Sequence, residues 1–178
     1  MINYDGLYNK DYYGEQLFQN HFSDKKLRFK ILENATILPH KSVAGTAGFG
    51  GIVDANGNYV EESFVHQGIT DIYTPTEEIA YSDESVIYFG MLVHIWGHCL
   101  TDNLKRVWFL KSEVYKKYFS RLPIVYVPMW KSIIEPFAKI LEILEINQDN
   151  LHPITRPVKF RQIILPDSSN LESRGGGG

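Results

Sequence analysis

The chain has 178 residues, enough for one ordinary domain or two small ones. Its apolar share of 44% against 22% charged is that of a soluble globular protein, and a formal net charge of -3 indicates no strong attraction to nucleic acid or to an anionic membrane. A single cysteine, Cys99, excludes an internal disulfide, the opening Met1-Ile-Asn-Tyr-Asp-Gly6 is no signal peptide, and no apolar run approaches the roughly 20 residues that span a bilayer, so a cytoplasmic protein is expected.

Residues 1–24 are polar and rich in tyrosine (Tyr4, Tyr8, Tyr12, Tyr13), with the pattern of a short helix around Asp11–Phe22. From Lys25 to Pro39 the pattern predicts a strand, with Leu27, Phe29 and Ile31 alternating with charged residues ahead of Ala35–Leu38. Gly45–Gly51 is glycine-rich but lacks the Gly-Lys-Ser/Thr ending of a phosphate loop, and a hairpin signal follows it where a helix should stand. That signal is Asn56-Gly57, flanked by Ile52–Asp54 and Asn58–Val60, a pair that suits the positive φ of a primed turn. Residues 1–80 are therefore predicted to be mostly β.

Near Tyr81 the pattern changes. Val86–Phe89 reads as a strand, Gly97 or His98 to about Phe119 as a helix, Pro123–Val127 as a second strand, and Ser132–Ile146 as a second helix opened by the capping box Ser132–Glu135. Val158–Leu165 is a third strand, ending at Pro166-Asp167. This βαβαβ order predicts a parallel sheet with right-handed crossovers. The expected fold class is thus α/β, a Rossmann-like unit over 81–170 behind the β-rich region. Residues 171–178 read as a tail or truncation remnant. Because three parallel strands make a small sheet, the natural protein is expected to continue beyond this chain.

The chemistry concentrates between His94 and Trp108. On a continuous helix, residues four apart step round by about 40°, so His98, Asp102 and Arg106 share one side and Leu100, Leu104, Val107, Trp108 and Tyr115 the other. The strand-to-helix corner is where α/β folds place their sites. Asp102 is spaced to orient His98 and fix its tautomer. A helix N-terminus disfavours imidazolium, and a neutral imidazole suits removal of a proton from a hydroxyl. Arg106 is spaced to bind an anionic group or to lock Asp102. The plainer alternatives are that His98 packs or caps the helix start, and that Asp102 and Arg106 form a surface pair worth roughly 0.3–0.5 kcal/mol. His94 and His98, with Asp102 beyond, also have the spacing of a metal ladder, but Ile95 stands where a metalloprotease helix has glutamate, and no metal is expected. His94, Trp96 and Asn103 complete the candidates for substrate contact, Trp96 as a stacking platform in the turn. Cys99 projects about 100° from His98 and does not pair with it.

Several segments together resemble the family-61 glycosyltransferases of bacterial capsule and surface polysaccharides. Val86–Leu110 carries the core, Gly97-His98, Asp102 and Arg106-x-Trp108, after a strand. Ile37-Leu-Pro39, Gly51-Ile-Val-Asp54 with Gly57–Glu62, and Ile163–Ser168 are similar to further blocks. Cys99 departs from the aromatic usual at its position. The resemblance implies an inverting, metal-independent glycosyltransferase of the two-Rossmann-domain (GT-B) type. It implies a nucleotide-sugar donor as substrate, no other cofactor, and a glycan acceptor. His98 with Asp102 would then be the base, and Arg106 would assist the leaving diphosphate or hold the acid. This chain would be the N-terminal, acceptor-side part, inactive alone, and a lipid-linked acceptor would bring peripheral association with a membrane. No nucleic-acid partner is expected, and the oligomeric state is open. The competing readings are a non-catalytic glycan-binding or assembly module, and a metal-dependent hydrolase using His94 and His98.

Overall fold

The computed structural model describes residues 26–42, 48–63, 73–93, 95–129 and 135–169. The expected helix at Asp11–Phe22, residues 45–47 of the glycine-rich stretch, Ser132 and the tail lie outside them; Phe49–Gly51 of that stretch belong to a strand and not to a loop. β1 (Phe29–Lys41) is a long strand whose Ala35, Ile37 and Leu38 are buried. It runs antiparallel to β2 (Phe49–Val53), with Ile37 opposite Ile52. β2 turns back into the short β3 (Tyr59–Val60). The hairpin follows the sequence signal but not as a primed turn: Gly57 has φ +86° while Asn56 is not in the positive-φ region, and the Asp54 carboxylate accepts the N–H groups of Asn56 at 2.9 Å and Asn58 at 2.8 Å. The bonds from Asn58 hold that carboxyl below its usual range. A single helical turn, Glu61–Ser63, follows.

β4 (Ala80–Val93) is the central strand of the second half. β5 (Ile124–Met129), β6 (Leu151–Pro153) and β7 (Val158–Pro166) complete a seven-stranded sheet in the order β3-β2-β1-β7-β4-β5-β6. β7, β4, β5 and β6 run parallel to one another. β1 runs antiparallel to β7, from Phe29 opposite Pro166 to Ile37 opposite Val158.

This mixed sheet overturns the expected Rossmann-like α/β half. The strands assigned to a separate β-rich region extend the same sheet as the parallel strands, because β1 pairs along almost the whole of β7. The helical content is also small. The predicted helix from Gly97 or His98 to Phe119 is broken into α1 (Trp96–Thr101), α2 (Val107–Leu110) and one wide turn at Tyr115–Phe119. Gly97, Thr101, Asp102 and Asn103 all have low helix propensity, and the polar side chains offer the backbone other bonds. Ser112 restarts the helical path, accepting the Tyr115 N–H at 3.1 Å. The second predicted helix is α3 (Glu135–Ile143).

Both faces of the sheet are buried. One carries Ile87, Phe89, Ile124 and Tyr126 against Val107, Phe109, Phe137 and Leu141 of the helical segments. The other gathers Ile37, Ile52, Tyr88, Val127 and Ile163. Within β4 the alternation slips: Val86 and Tyr88 share a cluster with Met91 and Val93, a step of three instead of two. The slip coincides with a register shift between Tyr88 and Gly90 against β5, and Gly90 sits at φ +124°.

Candidate functional site

β4 ends at Val93 and the chain enters α1 after Ile95, with its candidate residues around that corner. A spacing of four, from α1 to the residue that caps its C-terminus, brings His98 and Asp102 together: His98 Nδ1 bonds Asp102 Oδ2. The imidazole is 32% exposed and the carboxylate 7%. The second carboxylate oxygen, Oδ1, receives Lys105 Nζ at 2.8 Å, and the Lys105 side chain is itself only 9% exposed. Thr101 Oγ1 lies 3.3 Å from Oδ2. A carboxylate at Nδ1 favours the tautomer with its proton on that nitrogen, and in that tautomer Nε2 is the proton acceptor of the ring. Asp102 thus stands between an imidazole that reaches solvent and an ammonium that is almost sealed.

Arg106 does not join them. Helix α1 stops at Thr101, so the eight-residue step from His98 to Arg106 is not helical, and the arginine turns inward, 3% exposed. Its Nε donates to the Pro166 carbonyl at 3.0 Å and its Nη2 to the Glu62 carbonyl. Its guanidinium carbon stands 5.8 Å from the centre of the Tyr88 ring. Gly90 makes the space: a Cβ there would come 3.0 Å from Arg106 Nη1. Tyr88 is pinned at the same place, its hydroxyl donating to the Ser63 carbonyl at 3.0 Å. Ser63 Oγ in turn accepts the Ile52 N–H at 2.8 Å. Arg106 and Tyr88 therefore tie the turn after β3 to β4 and to the end of β7.

Asn103 is buried as well and faces the strand instead of the solvent. Its Oδ1 accepts the Val93 N–H at 3.0 Å and its Nδ2 donates to the Val93 carbonyl at 3.2 Å, so its amide pairs the last residue of β4 as a neighbouring strand would. Trp96 opens α1 and Cys99 lies within it. His94 lies outside the described residues. Among the described residues, no three His, Cys, Asp or Glu side chains gather as a metal site.

Two participants escaped the sequence pattern. Lys105 carries a signal in its Asp102-x-x-Lys105 spacing, which pairs residues across one helical turn. Gly90 carries one as a glycine inside a strand, a mark of a bulge or of close approach by another group.

Comparison of the chain with protein-family models, with curated proteins and with solved structures found no match. No helix of the described residues is long and apolar enough to cross a membrane.

Proposed function

We propose that this chain carries the acceptor-activating base of a sugar transfer, with His98 as base and Asp102 as its orienting partner. The observation that supports it is the His98–Asp102 bond, between an imidazole that is one-third exposed and a carboxylate that is nearly buried. A glycan hydroxyl reaching Nε2 gives up its proton as its oxygen bonds the anomeric carbon of a nucleotide sugar. The bond from that carbon to the nucleotide diphosphate breaks, and attack from the opposite face inverts the configuration. The proton stays on the imidazole, and the Asp102 charge stabilises the imidazolium. A His–Asp pair alone would serve many hydroxyl deprotonations. The choice of sugar transfer comes from the resemblance of Val86–Leu110 and its companion blocks to family-61 glycosyltransferases. Arg106, bonded to two carbonyls inside the fold, is assigned to structure and not to the leaving diphosphate.

The test is made on the full-length protein, because the resemblance implies that this chain alone is inactive: transfer from a panel of nucleotide-diphosphate sugars to glycan acceptors, read as released nucleotide. His98→Ala is expected to lower kcat about 10²–10⁴-fold with an unchanged far-UV spectrum. A His98→Ala protein that turns over at the wild-type rate removes the base assignment. Glycan binding without turnover, unaltered in His98→Ala, would mark a binding module instead.

A further inference from the structure

The segment from Lys111 to Arg121 links α2 to β5 and has two unlike sides. Tyr115 and Phe119 turn inward, with ring centres 6.0 and 5.8 Å from that of Phe109, and Phe119 lies 5.4 Å from Phe29. The outward side carries Val114, 40% exposed, and Tyr118, 65% exposed. Lys111, Lys116, Lys117 and Arg121 of the same segment are also exposed. Lys117 Nζ lies 4.8 Å from the centre of the Tyr118 ring. Beside Val114 opens an apolar hollow of about 250 Å³, walled by Phe29, Trp108 and Phe109, with the exposed Leu27 and Arg28 at its other rim.

The overall charge of -3 hides a local reversal. Residues 111–121 hold four cations and one acid, Glu113. Glu113 pairs with Lys116 at 2.7 Å, and Glu145 stands 3.6 Å from Lys111. Both pairs are open to water and weak, so they give way readily to a better anion. A positive face that also exposes a tyrosine, a valine and a leucine fits a particular neighbour. Nucleic acid or an acidic polysaccharide would use the cations and gain nothing from the aliphatic side chains. The headgroup layer of an anionic bilayer uses both: phosphates meet the lysines, and aromatic and aliphatic groups enter the acyl boundary.

We propose that the Lys111–Arg121 face, with Leu27 and Arg28, docks the protein on an anionic lipid surface. The proposal is independent of the sugar-transfer reading, and its test measures no turnover. The protein is floated with vesicles of phosphatidylcholine alone and of phosphatidylcholine containing one third phosphatidylglycerol. Binding is expected to the anionic vesicles only and to fall steeply between about 0.1 and 0.5 M salt. Each cation at such a surface raises partitioning about fivefold, so Lys116→Glu with Lys117→Glu is expected to lower binding well over tenfold. Tyr118→Ser is expected to lower it severalfold while leaving the salt dependence in place. These positions are exposed, and the far-UV spectra should not change. Equal binding to both vesicle types, no binding to either, or an unaffected Lys116→Glu/Lys117→Glu protein overturns the proposal. So does a Tyr118→Ser protein that binds vesicles undiminished while heparin or DNA competes it off completely, which would assign the face to soluble polyanions.

Discussion

Gly90→Ala sets a methyl group against the Arg106 guanidinium. Two costs follow from the geometry. At φ +124° an L residue is strained by about 1–3 kcal/mol. The new Cβ would also lie 3.0 Å from Nη1, so the guanidinium has to move. It is buried and bonded to the Pro166 and Glu62 carbonyls, and weakening one such charge-assisted bond costs about 1.5–3 kcal/mol. Together the substitution should cost about 3–5 kcal/mol, a large part of the ~5–15 kcal/mol that holds an ordinary domain folded. Urea unfolding followed by fluorescence measures it. The decisive experiment is the double-mutant cycle with Arg106→Met. The methionine removes the guanidinium that the new methyl would press, so the double variant should be about 1–2 kcal/mol more stable than the two single costs predict. Costs that add to within about 0.5 kcal/mol, or a Gly90→Ala protein less than 1 kcal/mol below wild type, would refute the account of Gly90 as room for Arg106.

Lys105→Met strips the cation from a carboxylate that is 7% exposed, and a broken buried pair costs about 3–5 kcal/mol. Asp102→Asn in the same background should recover part of that loss in a thermal melt, and a melt of Lys105→Met that matches wild type would show the pair to be inert. At high pH, burial lifts the Tyr59 phenol from its ordinary 10 to about 12 and raises Tyr88 too. Between these values the folded chain binds more protons than the unfolded one, so stability is complete below pH 10 and falls as pH climbs toward 12. A urea midpoint that stays flat across that window would contradict the burial of these hydroxyls, and Tyr59→Phe should make the slope shallower.

The strands were legible where short apolar runs stood between turn residues, and β5 and β7 lie within a residue or two of the predicted limits. The hairpin at Asn56-Gly57 was legible because its backbone demand is local. The partner of β7 was not. Alternation along one strand says which side faces inward, not which strand lies beside it, and so β1 and the parallel strands read as parts of separate regions. The helix failed for a related reason. Apolar spacing over Leu104–Tyr115 matched a helical face, but the poor helix formers Thr101–Asn103 interrupt it, Asn103 bonds back to Val93, and Arg106 is drawn away by Pro166 and Glu62, which are remote in the sequence. His98 and Asp102 came out together because the helical backbone still holds at Asp102, the C-cap of α1, whereas Arg106 lies four residues beyond it.

The place of β7 carries a consequence for synthesis on the ribosome. The last of the described strands to be made is the one that lies between β1 and β4, so neither of those can acquire its second neighbour until Val158–Pro166 has emerged. Until then the nascent polypeptide holds two partial sheets, each with a long open edge, Phe29–Lys41 on one and Ala80–Val93 on the other. Open edges of that length invite pairing with the wrong chain, and they stay open until Val158–Pro166 has emerged and inserted between them.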